Sequence, residues 1–229
     1  MKKAPKILSG FAEKIRQHPP YPYRKDESHM MYDNWKELQE ACLSCQKCSL
    51  RQGCRQVVFG VGNPESKVLF IGEGPGEQED IEGEPFVGRS GQLLDKMLAA
   101  VGLDRHCDLY IGNIVKCRPP QNRDPLPEEQ EQCIGWLRNQ TALLRPKIIV
   151  CLGRIAAMKI IRPDFKITKE HGSFFEKNGV LLMATLHPAA LLRNPSSKPG
   201  AFEDFLKLRR KMEELGLAAP ESFEIQTES

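Results

Sequence analysis

The sequence predicts an α/β protein, a three-layer α/β/α sandwich around a four-stranded, mostly parallel sheet. Two observations carry this prediction. Short apolar runs recur at Lys67–Gly72 (KVLFIG), Asp108–Val115 (DLYIGNIV), Lys147–Leu152 (KIIVCL) and Gly179–Leu186 (GVLLMATL), with the length and flanks of buried strands. The compact β-branched run of KIIVCL asks for cover on both faces. Longer stretches of helical composition alternate with these runs, and strands alternating with helices argue for a parallel, layered sheet.

In chain order, residues 1–30 include HPPYPYRKDES, rich in proline and charge, and are expected to form a flexible N-terminal arm. The folded domain is expected over 31–217, followed by a C-terminal tail over 218–229. From Asp33 to about Cys45 the composition is helical, with Asp33 or Asn34 as N-cap. Gln56–Gly60 (QVVFG) is a further strand candidate. A helix is expected from Gln92 to Ala100. Another should run from Pro127 or Glu128, with proline in the first turn, to about Leu144. Gly153–Ile161 and Ala201–Leu215 also read as helices.

The 229 residues suffice for one α/β domain with a sizeable core plus tails. A net charge of +3 is too small to identify a nucleic-acid binder by charge alone, so local clusters matter more. No run of eighteen apolar residues is present, so no membrane span is expected. The basic N-terminus lacks the apolar core and cleavage site of a secretory signal. These features predict a cytoplasmic protein. Eight cysteines are many for that compartment, where disulfides are disfavoured and clustered thiols more often mark a metal or redox site.

The stretch Lys67–Gly91 organises the chain. A strand leads into Gly72-Glu73-Gly74-Pro75-Gly76, whose glycines let the backbone approach a ligand. The acids Glu77, Glu79 and Asp80 follow, then Phe86 among glycines. In open α/β sheets ligand pockets lie beyond the carboxyl ends of the strands, so this order reads as a pocket wall. It is not a phosphate loop, because the Gly-Lys-Ser/Thr ending is missing and no GxGxxG opens a helix.

Cys42, Cys45 and Cys48 form two overlapping C-x2-C registers, and Cys117 and Cys133 lie far downstream. Four thiolates from two regions can hold zinc or a four-iron cluster. The separation of the second pair favours iron–sulfur. Spacing alone leaves the first register open. Cys151, in an apolar strand, reads as core, and Cys54 and Cys107 as ordinary thiols. His187, at a strand end before a rigid turn, is placed to donate a hydrogen bond into the pocket. Asn113, near another strand end, offers a donor and an acceptor for the edge of a base. Phe86 is a stacking platform or a core anchor. Arg118, Arg123 and Arg193 fall on the expected rim, where they could meet phosphates.

Together, GEGPGEQED (Gly72–Asp80), PFVGRSGQLL (Pro85–Leu94), NIVKCRPPQNR (Asn113–Arg123) and HPAALLRNP (His187–Pro195) resemble the family 4 uracil-DNA glycosylases, the iron–sulfur branch of that superfamily. The resemblance covers roughly Cys42 to Leu215. It implies a [4Fe-4S] cluster on Cys45, Cys48, Cys117 and Cys133, structural rather than redox-active. It selects the later cysteine register because the first ligand pair stands a short, fixed distance before a VVFG-like segment. It implies a DNA-repair hydrolase acting as a monomer on uracil-containing DNA, single- or double-stranded, that flips the base into its pocket. Glu73, Gly74, Pro75 and Glu79 would line the pocket, Phe86 would stack on uracil, and Asn113 would read its edge. His187 would stabilise the departing uracil anion. Arg193 with Leu191 and Leu192 would fill the vacated stack. Better-known relatives place an Asp or Asn where Gly74 stands, so either Glu73 or Glu79 positions the water, or stabilisation of the leaving group suffices with weak water activation. No basic insertion lies between Asn113 and Pro127, unlike the branch that traps the sugar covalently, so the resemblance implies hydrolysis. The alternative is a non-catalytic iron–sulfur DNA-binding accessory protein.

Overall fold

The four apolar runs become the parallel centre of one sheet because they are buried along almost their whole length. The computed structural model describes residues 32–218. The expected N-terminal arm and residues 219–229 of the expected tail lie outside the described residues. The strands are β1 (Val61–Gly62), β2 (Val68–Gly72), β3 (Tyr110–Asn113), β4 (Ile148–Leu152), β5 (Phe174–Lys177) and β6 (Val180–Thr185), in spatial order β1-β3-β2-β4-β6-β5. β3, β2, β4 and β6 are mutually parallel, while β1 and β5 pair antiparallel at the two edges. The four-stranded expectation describes this parallel core, and the sheet has six strands among the described residues.

Two local causes account for the difference. Asn178 and Gly179 both have positive φ, 53° and 78°, the conformation of a two-residue hairpin turn. That turn folds β5 back onto β6. Gln56–Gly60, expected as a strand, is instead an irregular buried segment. Gly60 (φ 150°) and Gly62 (φ 114°) bend it, and only Val61–Gly62 reach ladder register. Its backbone bonds are met from elsewhere: Val58 N donates to the Lys116 carbonyl at 2.8 Å. The Lys116 Nζ, 1% exposed, donates to the Phe59 carbonyl at 3.0 Å and to Gln140 Oε1 at 2.7 Å.

The helices are α1 (Trp35–Leu43), α2 (Leu50–Gly53), α3 (Glu77–Glu82), α4 (Arg89–Ala99), α5 (Pro127–Leu144), α6 (Arg154–Ile160), α7 (Ile167–Glu170), α8 (Pro188–Arg193) and α9 (Lys198–Glu214). The expected signals operate at their ends. The Asn34 side chain accepts from Glu37 N at 3.0 Å, satisfying one orphan donor of α1. Pro127 opens α5, where its missing N–H costs nothing. Successive strand residues point to opposite faces. Leu69, Ile71, Ile149 and Cys151 pack under α1, α5 and α6, and Val68, Phe70, Ile148 and Val150 pack under α4 and α9. Three layers result. Among the described residues no helix is long and apolar enough to cross a membrane.

The chain leaves β2 for β3 on one side and returns past it to β4 on the other. Loops after β2 and β4 therefore diverge, and such a switch point opens a crevice at the carboxyl ends of the strands.

Candidate active site

Each parallel strand delivers one part of the site as it ends: Gly72 from β2, Asn113 from β3, Gly153 just after β4 and His187 two residues after β6. The crevice they border has a volume of about 690 Å³. Glu73, Gly74, Pro75, Glu79, Phe86, Asn113 and His187 all line it, so every residue expected to bind the base is brought to one place.

Asn113 is 2% exposed, and its Oδ1 has no hydrogen-bond partner within the protein. A buried, unpaired acceptor costs about 1–3 kcal/mol, so this one is laid out for a donor that arrives from the crevice. Sheet register puts Gly72 beside it. A Cβ at Gly72 would stand 2.3 Å from Asn113 Oδ1 and 2.8 Å from the Phe86 ring, so glycine makes room for both. Gly72→Ala is expected to lower unfolding stability by about 1–3 kcal/mol through overpacking, read from the urea midpoint. An unchanged midpoint would mean that neither side chain is fixed there.

His187 is the N-cap of α8, and its Nδ1 accepts from Ala189 N at 3.1 Å. With Nδ1 occupied as an acceptor, the neutral ring carries its proton on Nε2. Burial, reinforced by the nearby Arg193 charge, pushes its pKa down to about 4, so the imidazole is neutral at neutral pH. Its ring centroid lies 5.6 Å from that of Phe86, at 33° between planes.

The two candidate carboxylates differ in what they are free to do. Glu79 accepts from Gly76 N at 3.1 Å through Oε2, and from Val87 N and Gly88 N, both at 2.9 Å, through Oε1. Its oxygens hold the loop. Glu73 hydrogen-bonds Asp124, and its pKa is pushed up to about 7, first by burial and then by the Asp124 charge, with Arg154 opposing. Arg154 Nη2 donates to Asp124 Oδ2 at 2.6 Å. Asp124 and Arg154 escaped the sequence reading, although Arg154 directly follows a strand-end glycine, a position that marks pocket residues.

The rim residues divide. Arg193 is exposed at the mouth. Arg118 lies outside the lining, donating to Asn122 Oδ1 at 2.8 Å and facing Glu77 at 3.6 Å. Arg123 spends its fork on Glu129, at 2.8 and 2.6 Å, and caps the start of α5 with it. Leu192 lines the crevice. Leu191 corrects an expectation: it is 1% exposed and packed in the core beneath α9, so it has no surface to offer a DNA stack.

The cysteines gather on the other face of the sheet. Cys45 and Cys48 lie between α1 and α2, Cys117 follows β3, and Cys133 projects from α5. Cys117 and Cys133 are buried in the core cluster against which Cys45 and Cys48 pack. Two of the sulfurs accept hydrogen bonds, Cys45 from Trp136 Nε1 at 3.3 Å and Cys133 from Lys116 N at 3.2 Å. Among the described residues no three His, Cys, Asp or Glu side chains form a site for a single metal ion. Cys42, 0% exposed, packs beside them.

A family model described as the uracil DNA glycosylase superfamily matches residues 59–210. A protein named Type-4 uracil-DNA glycosylase from Archaeoglobus fulgidus is 45% identical over 174 residues, which is 72% of this chain and 87% of that protein. One of the same name from Sulfurisphaera tokodaii is 41% identical over 186 residues, 77% of this chain and 84% of the relative. A Type-5 uracil-DNA glycosylase from Thermus thermophilus is 32% identical over 150 residues, 57% and 68% of the two chains.

Proposed function

The chain belongs to the uracil-DNA glycosylase superfamily, and from that membership we propose that it is a DNA-repair hydrolase that flips uracil out of DNA and cleaves its N-glycosidic bond, releasing the base and leaving an abasic site. The observation that carries the reading is the unpaired Oδ1 of Asn113 beside the Phe86 ring. Uracil presents N3–H to that oxygen and O4 to the amide nitrogen. Cytosine presents an acceptor and a donor at the same two points, so both contacts fail. Sites built around buried hydrogen bonds reject such analogues strongly because their own polar groups go unpaired.

Cleavage moves the electron pair of the sugar–base bond onto uracil, leaving an oxocarbenium-like sugar. His187 donates its Nε2 proton as a hydrogen bond to the uracil oxygen on which charge accumulates, and its neutrality leaves Nδ1 free to accept from Ala189 N, which holds the ring in place for that bond. Water then adds to the sugar carbon. Glu79 is committed to three backbone donors, which leaves Glu73 to orient the water and take its proton. Arg118 and Arg193 are the candidates for phosphate contact, Arg123 braces the start of α5 through Glu129, and Leu192 is the remaining candidate for the vacated stack.

Cys45, Cys48, Cys117 and Cys133 would hold a [4Fe-4S] cluster. The all-thiol donor set and the N–H groups donated to two of the sulfurs fit one. When bound, it would clamp the segment around α1 and α2 to α5 and the loop after β3. It takes no part in the bond-breaking steps.

The test is uracil release from labelled oligonucleotides carrying one uracil, single- and double-stranded, read as alkali-sensitive abasic sites, with cytosine and thymine controls. Release confined to uracil is expected. No release from either substrate by cluster-loaded protein would overturn the reading.

The pH dependence follows from Glu73. Its carboxylate form grows as pH rises through about 7, so single-turnover release is expected to climb across neutrality. Glu73→Gln should flatten that limb. Asp124→Asn removes the neighbouring charge that helps raise the pKa, and should move the midpoint to lower pH. A wild-type profile flat through neutrality would remove Glu73 from the water-orienting role.

A further inference from the structure

The Phe86 wall of the crevice stands on unusual backbone. Its φ is 57°, in the left-handed region that bulky residues rarely occupy and that persists only where the surroundings enforce it. The enforcing group lies behind the cavity. Arg105, in the turn between α4 and β3, is 9% exposed and lines no part of the crevice. Its Nη1 donates to the Phe86 carbonyl at 2.9 Å and its Nη2 to the Pro85 carbonyl at 3.2 Å. Its Nε stands 3.2 Å from Asp95 Oδ1, on α4. The two terminal nitrogens of one planar fork therefore fix two consecutive carbonyls, and an ion pair with Asp95, without a hydrogen bond at either atom, draws the guanidinium toward the helix that follows. Gly91 completes the seat, since a Cβ there would stand 1.8 Å from the Phe86 oxygen.

We propose that Arg105 is a positioning residue for base recognition, setting the plane of the Phe86 ring against which uracil stacks, with Asp95 orienting the guanidinium. This inference rests on the reading of the site given under Proposed function. Arg105 touches neither base nor sugar, so its whole effect on recognition passes through Phe86. A lysine cannot replace it, because an ammonium is a point charge without the two-pronged geometry that spans adjacent carbonyls.

The experiment measures competitive inhibition by free uracil, affinity for an abasic oligonucleotide, steady-state kcat and KM, and melting temperature. The proteins are full-length wild type, Arg105→Met, Arg105→Lys, Asp95→Asn, Phe86→Ala and the double variant Arg105→Met with Phe86→Ala. Arg105→Met is expected to weaken uracil inhibition about tenfold, the scale of a lost aromatic stacking contact, with abasic-DNA affinity unchanged. Arg105→Lys should not rescue it. In the Phe86→Ala background Arg105→Met should change uracil inhibition no further. Asp95→Asn keeps the fork and gives a smaller loss of the same kind, and it carries the test should Arg105→Met fail to fold. Lowered melting temperature with unchanged uracil inhibition would overturn the proposal, and so would a further loss of inhibition in the Phe86→Ala background. Wild type that releases no uracil would instead overturn the underlying reading, and the inference with it.

Discussion

Replacing His187 by alanine is expected to slow single-turnover uracil release by about 10²–10³-fold, the range found when one preorganised donor to a developing oxyanion is removed. The geometry makes this donor hard to replace. The Ala189 amide fixes the ring through Nδ1, which leaves Nε2–H as its only proton, and burial keeps the ring neutral down to pH of about 4. Gly153 makes space for it: φ there is 90°, and a Cβ would stand 2.8 Å from the His187 Cβ. Water entering the hole left by alanine can donate to the base, but it must be oriented at the moment of reaction. Abasic-DNA affinity and the neutral pH limb should both persist, since the limb belongs to Glu73. A variant within a few-fold of wild type would transfer leaving-group stabilisation to another residue.

Cys117→Ala is expected to abolish iron binding, measured as iron content and visible absorbance, and to lower the melting temperature steeply. Linking Cys48 to Cys117 closes a loop of roughly 70 residues, and removing such a cross-link releases on the order of 4 kcal/mol of chain entropy to the unfolded state. The loss should be felt first in α1 and α2, which the cluster would hold to the rest of the domain. Cys42→Ala is the matched control. Cys42 is buried like Cys117 and Cys133, but the resemblance assigns it no ligand role, so the protein should keep its iron. Iron retained by Cys117→Ala, or lost from Cys42→Ala, would sink this ligand set.

The parallel strands were legible because each is a short, mostly apolar run, and α1 and α5 because Asn34 and Pro127 are strong starting signals. The hairpin of β5 and β6 was missed, though Asn178-Gly179 is among the plainest turn signals a chain can carry. Phe174–Lys177 before it is short, half-exposed and edge-lying, so it lacks the apolarity that marked the parallel strands. Gln56–Gly60 misled for the opposite reason: it is apolar enough for a strand, but two glycines and a buried lysine gave its backbone other partners. In the site, residues at strand ends were found from position alone. Glu79, Arg123 and Leu191 were not separable from their neighbours, because only packing decides whether a carboxylate faces backbone amides or solvent, or a leucine the core or the rim. Asp124, Arg154 and Arg105 act through pairs that join distant segments, and a linear reading has no register for such pairs.

The Glu79 carboxylate joins Gly76 at one end of its loop to Val87 and Gly88 at the other. The segment carrying Phe86 is thereby ordered before any substrate arrives. Fixing one residue's backbone costs about 1–2 kcal/mol, and for this loop that cost is met once, at folding, rather than at every encounter with DNA. A protein that must sample very many ordinary bases for each damaged one gains most from such a loop. Its speed of inspection is then limited by how fast a base leaves the stack, and not by how fast the pocket assembles around it.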